Sequence, residues 1–560
     1  MDHAYIVIDD GVGEDPPPWS WRKFLRFAGP GLLMCIAYVD PGNLESDLQA
    51  GATTGYTLLW LLAVTMVMGF IVQMQAAKLG VATGKHLAEL CRAEYPRPAA
   101  LLLWVMAEVA IIGSDIQEVI GSAIALRLLT AGAMPLWAGC VVSAAASFAL
   151  LLVERAGVRW LEGVFGVLIA AMVAAFGYMF ARAGVPGADV ARGFLVPQLP
   201  RRDIPTAVAL FGSLIMPHNI YLHSALVQTR NLGRASVGAK LDALRYFSVE
   251  SGLSLLLVCG VNVAVVSVFA SGFYDPAADP PDIGLQNAGE FLGRSFGPVV
   301  VIVWGLGLLA AGQSSTMTGT YTGQFVMSGF LELKVSPIVR IMVTRSVALV
   351  PTLAVALMMQ PGSTQLDRLN QGLNLLQSVQ LPFALLPVLT FAGSTRVMGR
   401  LANGWGLSAV CWAIAGIVIA VNMAAVAELV GQWAVDFEEV PWARGVLTGG
   451  LVALVALYCA FLLYLLACGP RSCISRAARK VLRAAVPPTP ARTSVDEGER
   501  ACNAATTPLL AEQHHAQGAQ QAGCGGKGGC GRCCCCKRGC CPCCCCGCMG
   551  QGQAGGKMQA

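Results

Sequence analysis

The chain has 560 residues, of which 55% are hydrophobic and only 13% charged. A soluble domain carries about 25% charged residues, so the composition excludes a soluble globular protein and points to a chain that crosses a membrane many times. The formal net charge of +5 does not indicate a nucleic-acid partner, because the basic residues sit in connections between apolar segments.

The N-terminus, MDHAYIVIDDGVGEDPPPWSW, is acidic and carries prolines. It lacks the basic start and short apolar core of a secretory signal. Residues 1–20 therefore read as a flexible cytoplasmic leader, in which Tyr5-Ile6-Val7-Ile8 resembles a short tyrosine sorting pattern. The first apolar segment then has to act as its own insertion signal. A spanning helix needs roughly 17–25 residues. On that measure about twelve are predicted, near 24–50, 56–79, 98–126, 133–153, 160–182, 203–228, 243–270, 297–328, 336–360, 369–394, 404–431 and 441–468. Residues 21–468 form one membrane domain. Lys and Arg gather on alternate connections, among them Arg22, Lys23 and Arg26, then Lys78, Lys85, Arg92 and Arg97, then Arg230, Arg234, Lys240 and Arg245. By the positive-inside rule both termini are cytoplasmic. Arg192, Arg201 and Arg202 fall on the other side and run against that bias.

The first segment is interrupted by Asp40-Pro41-Gly42-Asn43. A proline cannot donate a backbone hydrogen bond. Pro41 and Gly42 should therefore unwind the helix and free carbonyls near Ala37 and Tyr38. In hydrocarbon such carbonyls need a partner, and a cation can be that partner. Asp40 would add a charged oxygen and Asn43 a neutral one. The alternative is a proline kink in which Asp40 caps the second half-helix.

The third segment, LLLWVMAEVAIIGSDIQEVIGSAIAL, carries Glu108, Asp115 and Glu118 among apolar residues. Asp115 and Glu118, three apart, are neighbours on a helix surface. Two carboxylates at membrane depth suggest a proton relay with Arg230 and Arg345 as candidate cationic partners. The alternative is a static buried ion-pair network.

The sixth segment is interrupted by Met216-Pro217-His218-Asn219. A thioether is a poor ligand for Mg²⁺ and Ca²⁺ but a usable one for Mn²⁺, Fe²⁺, Co²⁺ or Cd²⁺. Ser213, one turn earlier, could offer a carbonyl. Met216 could otherwise be a flexible core filler. His218 and His223 are five apart and do not share one helix face well. Either could carry a proton, or be a buried neutral imidazole bonded to a carbonyl. Two broken helices meeting near the midplane form the binding site of an inverted-repeat transporter.

Residues 469–560 form a cytoplasmic tail without helical or strand periodicity, and disorder is predicted. Thirteen of the 22 cysteines lie in the segment 524–548. In a reducing cytosol a disulfide framework is disfavoured, which leaves binding of a soft metal, acylation beside Lys537 and Arg538, or low-complexity sequence without a role.

The pieces GPGLLMCIAYVDPGNLESDLQAG, AEVAIIGSDIQEVIGSAIAL, LIMPHNIYLHSALVQTR, GQSSTMTGTYTGQFVMSGF and LNLLQSVQLPFALLP, in this order, resemble the Nramp family of divalent metal transporters over roughly residues 24–430. The resemblance implies an all-α polytopic membrane protein with a LeuT-like five-plus-five inverted repeat, one or two further helices, and broken first and sixth helices. It implies a carrier, not an enzyme. Divalent metal ions and protons would be its substrates, the bilayer its partner, and no other cofactor is expected. By position the metal ligands would be Asp40, Asn43, Met216 and the carbonyls of Ala37 and Ser213. Asn374 of the tenth segment would complete the shell, with Gln377 as its neighbour. The proton route would involve Asp40, His218, Glu118, Asp115, Arg230 and Arg345, with a less direct role for His223. The expectation is proton-coupled import of Mn²⁺, Fe²⁺ and similar ions across a plasma, vacuolar or endosomal membrane. A metal sensor of the same fold is the alternative. The cysteine-rich tail lies outside the resemblance.

Overall fold

The structure, a computed structural model, describes residues 6–7, 18–154, 158–231, 236–277, 283–331, 337–358, 365–436 and 441–469. The leader, except residues 6–7 and 18–20, and the cysteine-rich tail lie outside the described residues. Apart from one two-residue strand pair, everything described is helix or connection. The helices in chain order are α1 (Trp21–Phe27), α2 (Pro30–Cys35), α3 (Pro41–Thr54), α4 (Leu59–Thr83), α5 (Leu87–Glu94), α6 (Arg97–Leu129), α7 (Leu136–Glu154), α8 (Val158–Arg182), α9 (Gly187–Leu195) and α10 (Ile204–Leu214). They continue as α11 (Pro217–Leu226), α12 (Val237–Phe273), α13 (Leu285–Phe296), α14 (Pro298–Leu331), α15 (Pro337–Met358), α16 (Gln365–Ala392), α17 (Thr395–Met398), α18 (Trp405–Asp436) and α19 (Pro441–Cys468).

Each of the twelve apolar segments falls on helix. Among the described residues, eight helices are long and apolar enough to cross a membrane unbroken. The first segment falls on α1, α2 and α3, with its central split between α2 and α3, and the sixth is split into α10 and α11. Both splits have one local cause. Pro41 and Pro217 stand at the first position of α3 and α11, where a missing N–H costs nothing because that donor has no helical partner anyway. The same prolines forbid the upstream helix from running through.

Four short helices in connections, α5, α9, α13 and α17, were not anticipated. They are too short to span and are set by local signals. In α5 the Glu89 carboxylate accepts from the His86 backbone N–H at 3.0 Å, and in α13 Asn287 Oδ1 accepts from the Gly284 N–H at 2.8 Å. The helix α12 runs 37 residues, longer than predicted, because it starts with a polar turn capped by Ser236 Oγ on the Ala239 N–H at 3.2 Å.

Helix α3 packs on α10 and α2 on α11, and both α10 and α11 pack on α16. Small residues allow close approach at both breaks. A methyl at Gly121 of α6 would lie 2.4 Å from Pro41 Cβ, and one at Gly212 of α10 would lie 2.8 Å from Ser378 Cβ on α16. The outer faces carry exposed aliphatic side chains such as Leu457 at 67% and Leu256 at 70%, as lipid-facing helices do. The inner faces carry the buried polar residues. This arrangement, with the two broken segments at the centre, is the five-plus-five inverted repeat of the LeuT-like fold.

Candidate metal centre

Asp40 precedes α3 with extended backbone (φ −70°, ψ 166°). Its carboxylate accepts from the Gly42 N–H and the Asn43 N–H, both at 3.2 Å. The side-chain amide of Asn43 donates to Asp40 Oδ1 at 2.5 Å and to the Ala37 carbonyl at 3.4 Å. The capping alternative is thus realised, and the candidate ligands sit on it. Asp40, Asn43 and Ala37 are all buried. Asn43 Oδ1, also buried, has no hydrogen-bond partner among the described residues. An orphan acceptor beside a carboxylate and a freed carbonyl suits a cation as third party.

The second break places Met216 in front of α11 with extended backbone (φ −88°, ψ 138°) and no side-chain cap on the helix. Met216 and Ser213 are buried. The Ser213 hydroxyl donates to the Leu210 carbonyl at 3.1 Å.

Asn374 on α16 is bonded to the first break, and its backbone runs beside α10. Its amide donates to the Gly42 carbonyl at 3.2 Å and to Ser46 Oγ at 3.0 Å, while its own carbonyl lies 3.2 Å from where a Cβ at Gly212 would stand, one residue before Ser213. Gln377 donates to Gln117 Oε1 at 2.7 Å, and Gln117 Nε2 donates to Asn374 Oδ1 at 2.8 Å. Gln117 is a site-building residue that sequence reasoning missed. Its signal was present, since it lies between Asp115 and Glu118 in an apolar segment.

Glu118 Oε1 accepts from Ser114 and Ser315, both at 2.8 Å. Asp115 and Glu118 face the same spot on α14, since a Cβ at Gly319 would stand 2.9 Å from Asp115 Oδ1 and 3.5 Å from Glu118 Oε2. His218 and His223 are buried on α11. Among the described residues His218 Nδ1 and both ring nitrogens of His223 lack hydrogen-bond partners, so His223 is not the carbonyl-bonded imidazole considered above. Arg230 is found against Glu162 of α8, with Nη2 to Oε1 at 2.6 Å. Arg345 lies on α15, and its side chain is outside the described residues.

No group of three or more His, Cys, Asp and Glu that could hold a metal occurs among the described residues. The donor set at the breaks is one carboxylate with neutral amide, carbonyl and thioether groups. Such a set, buried and adaptable, can release what it binds, as a permeation site must.

The sequence matches the family described as Natural resistance-associated macrophage protein-like, Nramp, over residues 31–428. It is 48% identical over 466 residues to "Metal transporter Nramp3" of Arabidopsis thaliana, covering 82% of this chain and 90% of that one. It is 49% identical over 456 residues to "Metal transporter Nramp6" of Oryza sativa subsp. japonica, covering 80% and 82%. The fold superposes on the crystal structure of the Eremococcus coleocola manganese transporter with a TM-score of 0.72 at 27% identity, covering 82% of this chain and 98% of that chain. The chain therefore belongs to the Nramp family and is an integral membrane protein of that family's LeuT-like fold.

Proposed function

We propose that the protein is a secondary transporter that imports divalent transition-metal ions into the cytosol by alternating access, coupled to protons. Mn²⁺ and Fe²⁺ are the principal substrates, with Cd²⁺, Co²⁺ and Zn²⁺ as further ones. The observation that carries this reading is the orphan Asn43 Oδ1, buried beside the Asp40 carboxylate and the Ala37 carbonyl at the first of two broken helices that both pack on α16. A dehydrated metal ion would displace the Asn43 amide from Asp40 Oδ1, turn the orphan Asn43 Oδ1 inward, and complete its shell with Met216 and the Ala37 and Ser213 carbonyls. The thioether biases the site against Mg²⁺ and Ca²⁺. Asp40 couples the two ions because one carboxylate cannot hold a proton and a metal together. A released proton then has His218, Glu118 and Asp115 as stations, with His223, Arg230 and Arg345 tuning the path. An inside-negative potential assists, at roughly 2.3 kcal/mol per charge per 100 mV. Both termini face the cytosol, and the membrane is the plasma membrane or a vacuolar or endosomal one.

The test is Mn²⁺ uptake into proteoliposomes at an outside pH of about 5.5 and about 7.5, a range across which an imidazole changes charge. Acid-stimulated uptake in the wild type that disappears in Asp40→Ala is the expected result. Folded protein that takes up neither Mn²⁺, Fe²⁺ nor Cd²⁺ at either pH would overturn the transport reading in favour of a sensor.

A further inference from the structure

The buried carboxylates Asp40, Glu45, Glu118 and Glu250 all accept hydrogen bonds, Glu45 from the Leu285 N–H at 2.7 Å and Glu250 of α12 from the Gly31 N–H at 3.0 Å. Asp47 of α3 is different. It is 0% exposed, and among the described residues neither of its carboxylate oxygens has a hydrogen-bond partner. Two neutral oxygens share that condition. The buried threonines Thr54, Thr320 and Thr390 each donate to the carbonyl one helical turn back, at 2.7–2.8 Å. Thr65 of α4 is buried too, yet its Oγ1 has no partner among the described residues. Asn262 of α12, also buried, donates from Nδ2 to the Tyr38 carbonyl at 3.1 Å, which leaves its Oδ1 without a partner among the described residues.

These residues lie along one seam. The Tyr38 ring rests against α4, where a methyl at Gly69 would stand 2.9 Å from its hydroxyl, and Thr65 is one turn from Gly69 on the same face. Asn262 reaches the Tyr38 carbonyl from the α12 side. One turn further along α12, the Val266 carbonyl would collide with a methyl at Gly51, itself one turn beyond Asp47. Side chains on a helix lean toward its N-terminus, so Asp47 leans back along α3 toward the level of Asn262 and Tyr38. It also acts electrostatically on Cys259, which lies just before Asn262 on α12. Helix α12 packs on both α3 and α4, and Asp47, Thr65 and Asn262 converge in the seam between the three.

We propose that Asp47, Thr65 and Asn262 bind a second cation, a sodium ion, at a site separate from the metal centre. Asp47 follows Asp40 by about two helical turns, roughly 10 Å along the axis. The donors are a carboxylate, a hydroxyl and an amide carbonyl. All are oxygens, which suits a hard cation, and the set lacks the soft sulfur that Met216 brings to the metal centre. The lone carboxylate decides the charge. A monovalent ion makes the site neutral, whereas a divalent one would leave an uncompensated charge in a low-dielectric interior. Bound there, the ion ties the second half of the first broken segment to α4 and α12. The site does not depend on the transport reading above.

The test is equilibrium binding of radioactive Na⁺ to the purified full-length chain in nanodiscs, in an alkaline choline buffer so that protons do not compete for the carboxylate. Saturable binding at a single site per chain is expected in the wild type. Asp47→Asn keeps the shape and removes the charge, and it should weaken binding about tenfold or more. Thr65→Val removes one neutral oxygen at constant volume and should weaken it about threefold. Absence of saturable Na⁺ binding in the wild type overturns the site and leaves Asp47 a protonated, neutral acid. Binding in Asp47→Asn equal to the wild type places the ion elsewhere and overturns it as well. If Asp47→Asn does not fold, Thr65→Val decides, and unaltered affinity there overturns the site. Ready displacement of Na⁺ by an equal concentration of Ca²⁺ would overturn the assignment to a monovalent ion. Na⁺ binding that is lost in Asp47→Asn, in a protein that takes up no Mn²⁺, would support the site and count against the transport reading alone.

Discussion

The two breaks are built alike and finished differently. In both, an extended residue precedes a proline at the first helical position. At the first break the extended residue is Asp40, and its carboxylate satisfies two amides of the helix it precedes. At the second it is Met216, and α11 begins with no side-chain cap. The first break is thus closed on itself by a charge, so a cation arriving there competes with backbone donors and is held less tightly than a bare carboxylate would hold it. The second presents a soft, uncharged sulfur and leaves the first amides of α11 without a side-chain cap. On the proposed function, charge and selectivity would reside on different helices, and each could be removed without the other.

The largest effect is expected at Asp40. Asparagine caps a helix about as well as aspartate, so Asp40→Asn keeps the cap and removes the charge. Both Asp40→Asn and Asp40→Ala should lose Mn²⁺ uptake by about a hundredfold or more, a loss of order 2.7 kcal/mol. Only Asp40→Ala should also be less stable, by about 1 kcal/mol, which thermal denaturation in detergent would detect. Wild-type uptake in Asp40→Asn would mean that the first break works through its shape and not its charge.

Met216 comes next, with two substitutions of opposite meaning. Met216→Ala should weaken Mn²⁺ and Cd²⁺ uptake about tenfold while Ca²⁺ and Mg²⁺ become better competitors. Met216→Asp makes the second break resemble the first, with a carboxylate before Pro217. It should cap α11 and shift preference strongly toward Ca²⁺, an oxygen-seeking ion. Competition assays with the four ions check both. Unaltered selectivity in both variants would leave the thioether without a role.

What could be read from the chain alone was local. Pro41 and Pro217 break helices through their own covalent structure, so both interruptions, the buried status of their ligands and the twelve apolar segments were legible. Partners far along the chain were not. Arg230 was expected near Asp115 and Glu118, yet it meets Glu162 and the Phe27 and Ala28 carbonyls, because the choice among several buried carboxylates is made by helix packing and not by spacing. Glu162 and Glu250 lie inside the predicted spans 160–182 and 243–270 and were not singled out, because a lone carboxylate there names no partner. Gln117 was passed over because a neutral amide between two carboxylates carries a weaker signal than they do, and its contact with Asn374 joins positions 257 residues apart.

That contact supplies the smallest of these tests and the one that best separates the two breaks. Gln117 donates to Asn374 Oδ1 and to the Asn370 carbonyl at 3.1 Å, and accepts from Gln377. Gln117→Met preserves the volume but strips the donor from Asn374 and the acceptor from Gln377. Each stranded buried group costs about 1–3 kcal/mol, so the melting temperature should fall. Asn374 keeps its bonds to Gly42 and Ser46 at the first break, so the ligand atoms remain and uptake should fall only about fivefold, near 1 kcal/mol. The loss should be equal for Mn²⁺, Cd²⁺ and Ca²⁺, because Asn374 is tied to the break that carries charge and not to the thioether. A change in the ratio of Cd²⁺ to Ca²⁺ uptake like that of Met216→Ala would instead place selectivity in the tenth segment, and the division of labour between the two breaks would not hold.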